Sequence, residues 1–347
     1  MTCYTTKLAI AGKINPPKWL PHNIHYEAIM GSVAYGASSD TSDMDLCGFA
    51  IPTKELIFPH LAGEITGFGT QINRFEQYQQ HHIDDPESRK TFDITIYSIV
   101  KYFQLVMQNN PNMIDSLFVP LNCVTHVTEI GKLVRENRHM FLHKGAYHKF
   151  SGYSFSQMNK IKNKNSTKST KRVKAILDEY GIDTIPTIDN INDAFHNDAF
   201  LPMLTDPDLL ELKSLYDTMG NREFTILNNG IDTKKMYHVV RLQLECEQIL
   251  EEGDLDLMRG REKLKSIRRG EWSLQDIEEF FAIKERRLEA LYASSELQHS
   301  PDEARIKQLL LDCLEQHYGS LEGAVNRDVE VDSLIRDMQD VLDKYQR

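Results

Sequence analysis

The stretch that most constrains this chain is Gly31–Gly48, GSVAYGASSDTSDMDLCG, because it joins two runs that read as strands. Ile24–Met30 is a short strand ending at Gly31, and Asp43–Pro52 alternates polar and apolar residues before becoming an apolar run. Side chains alternate along a strand, so Asp43 and Asp45 share one face while Met44 and Leu46 share the other. Two carboxylates side by side in a concave site repel each other, and a divalent cation relieves the conflict. Hard oxygen ligands of this kind suit Mg²⁺ or Mn²⁺ rather than zinc. The Gly31-Ser32 turn complements such a site. Glycine lets backbone N–H groups approach a phosphate, and the Ser32 hydroxyl can donate to a phosphate oxygen.

A third strand is expected over Thr91–Tyr97, with Phe92, Ile94 and Ile96 on its inner face and Asp93 on its polar face. Asp93 is the best third carboxylate. It would allow two metals about 4 Å apart, one for the attacking and one for the leaving oxygen. Ser98 is placed to cap a helix through Val106 that stops before Pro111.

Helical periodicity takes over from about residue 126, in segments Val127–Asn137, Ala146–Lys162, Lys168–Tyr180, Thr233–Glu252, Ser273–Ser295, Pro301–His317 and Val331–Tyr345. Asp183–Asp208, with three prolines among many Asp and Asn residues, reads as a long irregular loop. The plan is a small α/β domain over residues 1–122 followed by a helical domain of about twice its size over 123–347. The length of 347 residues accommodates two domains.

With 40 basic and 51 acidic residues the net charge is −11, so the chain as a whole is no polycation, and phosphate binding falls to local patches or metal. Five cysteines without a CxxC argue against a disulfide framework or zinc ribbon and for a reducing cytoplasm. No apolar run approaches the ~18 residues of a membrane span, and the N-terminal apolar patch is too short for a secretory signal. No GxGxxG, Walker GxxxxGK[ST] or GxSxG motif is present.

The GSVAYG and SDMDLCG elements, followed by FDITIYSIVKYFQLVMQNNPNMIDSLF, resemble the nucleotidyltransferase (DNA polymerase β-like) superfamily. The further blocks FSGYSFSQMNKI, KKMYHVVRLQLECEQILEEGDLDL and SPDEARIKQLL extend the likeness over about residues 20–317, most closely to the RlaP family associated with RNA repair. The resemblance implies an α+β fold: a polymerase-β-like palm with a mixed sheet and flanking helices, then a larger all-helical domain. It assigns Gly31 and Ser32 to nucleotide phosphates and Asp43, Asp45 and Asp93 to metal. It implies a metal-dependent nucleotidyltransferase moving a nucleoside monophosphate from an NTP to an acceptor hydroxyl, on an RNA or tRNA end. The alternatives are nucleotidylation of a protein or small molecule, or a non-catalytic nucleotide- or RNA-binding module.

Other residues have competing readings. Lys160, Lys162, Lys164, Lys168, Lys171, Arg172 and Lys174 form a basic segment that either grips triphosphate or RNA backbone or is a solvated loop. The cluster Arg259–Arg269 reads as charged helix ends. His238 and Arg241 share a helix face, and the family block around them implies that this helix borders the nucleotide, with Lys234 or Lys235 nearby; a salt-bridge role is the alternative. Tyr35 and Gly36 are expected to pack the turn onto the sheet. His139 and His143 read as structural, and His81 and His82 as decoration on an exposed loop.

Overall fold

Alternation governs the sheet. Along Lys90–Ser98, Phe92, Ile94 and Ile96 are buried while Asp93, Thr95 and Tyr97 are only half-buried, so one face of this strand enters the core and the other stays near the surface. The computed structural model describes residues 3–38, 43–71, 73–85, 88, 90–163, 168–179, 207–219, 223, 226–227, 232–320, 322, 325 and 338. Its strands are β1 (Ile24–Ile29), β2 (Met44–Ala50), β3 (Gln77–Asp85), β4 (Lys90–Ser98) and β5 (Val124–Val127), in the five-stranded order β3-β4-β2-β1-β5. The pair β2–β4 is parallel and all other pairs are antiparallel. The helices are α1 (Tyr4–Ile10), α2 (Gly31–Ala34), α3 (Lys54–Ile57), α4 (Ile99–Met107), α5 (Pro111–Phe118), α6 (Glu129–Glu136) and α7 (Gly145–Asn163). They continue with α8 (Lys168–Glu179), α9 (Pro207–Thr218), α10 (Thr233–Glu252), α11 (Arg261–Arg268), α12 (Leu274–Ser294) and α13 (Glu303–Tyr318). The fold is α+β, a mixed sheet with flanking helices and many further helices, as expected from the sequence.

Contacts gather the chain into two compact units. The first comprises Met1–Ala146, Glu252–Arg259 and Glu296–Arg347, and the second Tyr147–Glu251 and Gly260–Ser295. The break expected after residue 122 would leave β5, which pairs with β1, outside the sheet to which it is bonded. All of the expected helix Val331–Tyr345 except Met338, and most of the expected loop Asp183–Asp208, lie outside the described residues. Among the described residues no helix is long and apolar enough to cross a membrane.

In the first unit, one face of the sheet carries a core of Leu8, Leu20, Ile24, Met44, Leu46, Ile83, Phe92, Ile94 and Ile96. Each such apolar side chain, fully buried, contributes about 1.5–3 kcal/mol. On the opposite face Phe49 packs against Tyr102 of α4, with ring centroids 4.9 Å apart. Tyr26 donates to the Ser116 carbonyl at 2.6 Å and accepts from Arg135 at 3.0 Å. A register shift between Ile24 and Tyr26 lets neighbouring β1 residues serve both cores. Ser98 caps α4 by accepting from the Lys101 N–H at 3.2 Å.

Helix α13 belongs to this unit through His25, whose Nε2 lies 3.0 Å from His317 Nδ1. Burial, and the positive charge that His317 and His126 would carry, push His25 down to about 4. Unfolded, His25 takes up its proton near the ordinary 6.5; folded, only near 4. Its contribution to stability is therefore complete above pH 6.5 and is lost as pH falls towards 4, at up to about 1.4 kcal/mol per pH unit. Between pH 7 and pH 5 the wild type should lose about 2 kcal/mol more than His25→Gln in urea unfolding. Equal losses in the two proteins would exclude this histidine as a source of acid lability.

The second unit is helical. Ser154 of α7 donates to the Val239 carbonyl of α10 at 3.2 Å, and Tyr147 meets Tyr292 of α12 at 4.9 Å between ring centroids. Val173, Ile176 and Leu177 of α8 join Leu212 and Tyr216 of α9 in a separate small core.

Candidate active site

The site is built where β1 hands over to α2 and where β2 runs beside β4. Met30 closes the end of β1 by donating its N–H to the Asp45 carbonyl at 2.7 Å. The chain then turns through Gly31, at φ +64°, into the single turn of α2. Positive φ favours glycine, and space requires it as well: a Cβ at Gly31 would lie 2.1 Å from Asp45 Oδ2. The turn and the carboxylate are thus in direct contact. Tyr35, which closes the turn, is buried and donates its hydroxyl to Asp115 Oδ2 of α5 at 2.6 Å. This bond ties the turn to α5.

The parallel register of β2 and β4 pairs Asp45 with Asp93. Register partners on neighbouring strands project to the same face at about 4.8 Å spacing, and here that face is opposite Met44, Leu46, Phe92 and Ile94. Two carboxylates are therefore adjacent beside a glycine turn. Asp43 lies exposed just ahead of β2. Ser32 is half-buried in α2. The intervening motif residues 39–42 lie outside the described residues.

Strand β3 supplies contacts that the sequence pattern does not announce. His81 and His82 belong to this edge strand rather than to a loop. The ladder shifts register between Gln80 and Ile83, and His82 adopts φ +54°. A bulge of this kind re-aims backbone groups. Here the His82 N–H donates to Asp93 Oδ1 at 2.8 Å, while His81 Nδ1 lies 3.2 Å from Asp93 Oδ2. Gln77 donates its amide to Gln79 Oε1, which turns the Gln79 amide nitrogen to His81 Nε2 at 2.7 Å. That nitrogen is then the acceptor, so Nδ1 carries the hydrogen and points it at Asp93. Both oxygens of Asp93 are held from β3. Polar edge strands lack the apolar alternation that betrays an inner strand, so the local signal here is weak.

The remaining nucleotide-binding candidates lie in the second unit. Lys160 is exposed on α7. On α10, Arg241 is 5% exposed and pairs with Glu245 at 3.2 Å within the same helix. Burial, then the charges of Arg241, Lys234 and Arg268, push His238 down to about 3, so it is a neutral imidazole at pH 7. In the basic segment Arg172 bridges Asp208 at 2.6 Å and Glu211 at 2.8 Å, and Lys162 pairs with Glu278 at 3.1 Å. Lys168, Lys171 and Lys174 are exposed on α8, and Lys164 lies outside the described residues. His139 pairs with Asp254 at 2.9 Å, and His143 reaches the Met107 carbonyl at 2.9 Å, both structural contacts.

Asp45 and Asp93 offer the donor chemistry of Mg²⁺ or Mn²⁺. Among the described residues no three His, Cys, Asp or Glu side chains are gathered to hold a metal by themselves. The expected trio of Asp43, Asp45 and Asp93 is therefore not gathered as one metal-holding group: β2 and β4 bring Asp45 and Asp93 together, while Asp43 lies ahead of the strand.

The RlaP family model, described as the RNA repair pathway DNA polymerase beta family, matches residues 12–337. The chain belongs to the RlaP family. The matched span contains β1, the α2 turn, β2 and β4 together with the helices of the second unit. Membership of RlaP, a polymerase-β-like family, implies nucleotidyltransferase activity. No curated protein and no solved structure matches the chain.

Proposed function

We propose that this protein transfers a nucleoside monophosphate from an NTP to an acceptor hydroxyl on an RNA or tRNA end, with Mg²⁺ or Mn²⁺ as cofactor. The observation that carries the reading is the pairing of Asp45 with Asp93 across parallel strands, in contact with the Gly31 turn. Asp45 and Asp93 would hold the cation, and Asp43, exposed just ahead of β2, is proposed as a further ligand. When bound, the cation neutralises triphosphate charge and polarises the reacting oxygens. Ser32 and the N–H groups of the α2 turn receive phosphate oxygens. Gly31 keeps the backbone close enough for that contact. The acceptor oxygen bonds to the α-phosphorus as the bond to pyrophosphate breaks, and the hydroxyl proton passes to the Asp93 carboxylate. His81 and the His82 N–H hold Asp93 in the orientation this needs. Lys160, His238 and Arg241 are proposed as nucleotide contacts; neutral His238 would serve as a hydrogen-bonding group rather than a cation. A cytoplasmic location accords with five free cysteines.

Incubation of the full chain with each α-labelled NTP, Mn²⁺ and total RNA tests the reading. Label should migrate with RNA. Label on the protein would move the assignment to protein nucleotidylation, and label on neither would leave a binding module.

A further inference from the structure

The charge of this acidic chain is unevenly spread. Between Tyr147 and Leu177 there are eight lysines and arginines and not one Asp or Glu, in a protein of net charge −11. Helix α7 supplies the first part of this stretch. Its inner face, Phe150, Ser154, Met158 and Ile161, is buried. Its outer face presents Lys149, Tyr153, Ser156 and Lys160, all exposed and spaced by four, three and four residues, so they form one strip about 16 Å long. Tyr153 is 51% exposed and stacks on no other ring among the described residues. Neither Lys149 nor Lys160 has an ion pair among the described residues. The second basic cluster differs in this respect: Arg261 and Lys265 pair with Glu262, Arg259 with Glu252 and Arg269 with Glu271.

We infer that the Lys149–Tyr153–Lys160 strip of α7 binds a single-stranded polynucleotide, its lysines on phosphates and the Tyr153 ring stacked on a base. An exposed ring between unpaired cations is the arrangement that serves unpaired nucleic acid, since stacking needs a base free of its duplex. A membrane surface is a poorer fit, because Phe150, Met158 and Ile161 are buried in protein and leave only Phe155 beside Tyr153 as exposed apolar surface on this helix. The inference deepens the RNA-acceptor reading and rests on it for the choice of RNA over DNA.

Fluorescence anisotropy of a labelled twelve-nucleotide single-stranded RNA with the full chain, between 50 and 200 mM salt, tests it. Lys149→Gln/Lys160→Gln should weaken binding about tenfold at the lowest salt and lower the log–log salt slope by about 1.4, the counterions of two phosphates. Tyr153→Ala should weaken binding about 5- to 150-fold with the slope unchanged, and Tyr153→Phe should bind as wild type. Single-stranded DNA bound equally well would support the strip, which reads no 2′-hydroxyl. Unaltered binding by the strip variants overturns the inference, as does equal, Tyr153-independent binding to duplex RNA or to phosphatidylserine vesicles. Wild-type transfer to RNA with strip-independent binding would sink this inference alone. Strip-dependent binding without transfer would sink only the transfer reading.

Discussion

Asp45→Asn is expected to leave the protein folded and to reduce nucleotidyl transfer by about a thousandfold. The substitution keeps the shape of the side chain and removes the charge that would hold the cation against the triphosphate. If that charge stabilises the transition state by about 4 kcal/mol, the rate falls by about three powers of ten. Asp93→Asn should do the same, because its partner in the β2–β4 register loses the second half of the carboxylate pair. Gly31→Ala should reproduce the defect with both carboxylates still present, since its methyl group would fall 2.1 Å from Asp45 Oδ2 and displace it. Initial rates with an α-labelled NTP, and Mn²⁺ affinity by electron paramagnetic resonance, check these variants together. Transfer and Mn²⁺ binding that survive Asp45→Asn would place the chemistry elsewhere in the chain.

The largest effect on stability is expected at Glu27. This fully buried carboxylate accepts from the N–H of Tyr4 at 2.7 Å and of Thr5 at 2.9 Å. It also accepts from the Thr125 hydroxyl at 2.7 Å and the Cys3 thiol at 3.1 Å. Helix α1 has no side-chain cap of its own, so a carboxylate from β1 serves its first turn. The same contact helps push the Cys3 thiol up to about 12, after burial as the larger cause. Glu27→Ala would strand several donors in a closed site, at a cost of about 4 kcal/mol. Glu27→Gln keeps the volume but turns an amide towards backbone N–H groups, so it should lose nearly as much. Urea unfolding of the full chain measures both, and a loss below about 1 kcal/mol would show that α1 is held by its apolar contacts instead.

Much of the site is legible in the amino-acid sequence. β1, β2 and β4 announce themselves by alternation, and the Asp-x-Asp spacing places Asp45 on the face that β4 gives to Asp93. The parallel register that makes them neighbours is a long-range property, however, and no local pattern reports it. β3 and β5 escape for opposite reasons. β3 is polar and bulged, so its histidines read as loop residues; β5 is four residues long and runs into the helix that follows. Glu27 escapes because a carboxylate in a strand reads as solvent-facing until the helix it caps is seen. Periodicity identifies most of the later helices but not the core each one joins. α13 has the same pattern as α12, yet it belongs with the sheet and α12 does not.

That last point bears on how the protein is made. The sheet-bearing unit recruits residues from both sides of the helical one, so His25 emerges from the ribosome long before its partner His317 exists. At about 5–20 residues per second, the roughly 170 residues between Ala146 and Tyr318 take about 10–35 s to synthesise. Throughout that interval the nascent sheet must wait with the surface that α13 will cover still open to water and to chaperones.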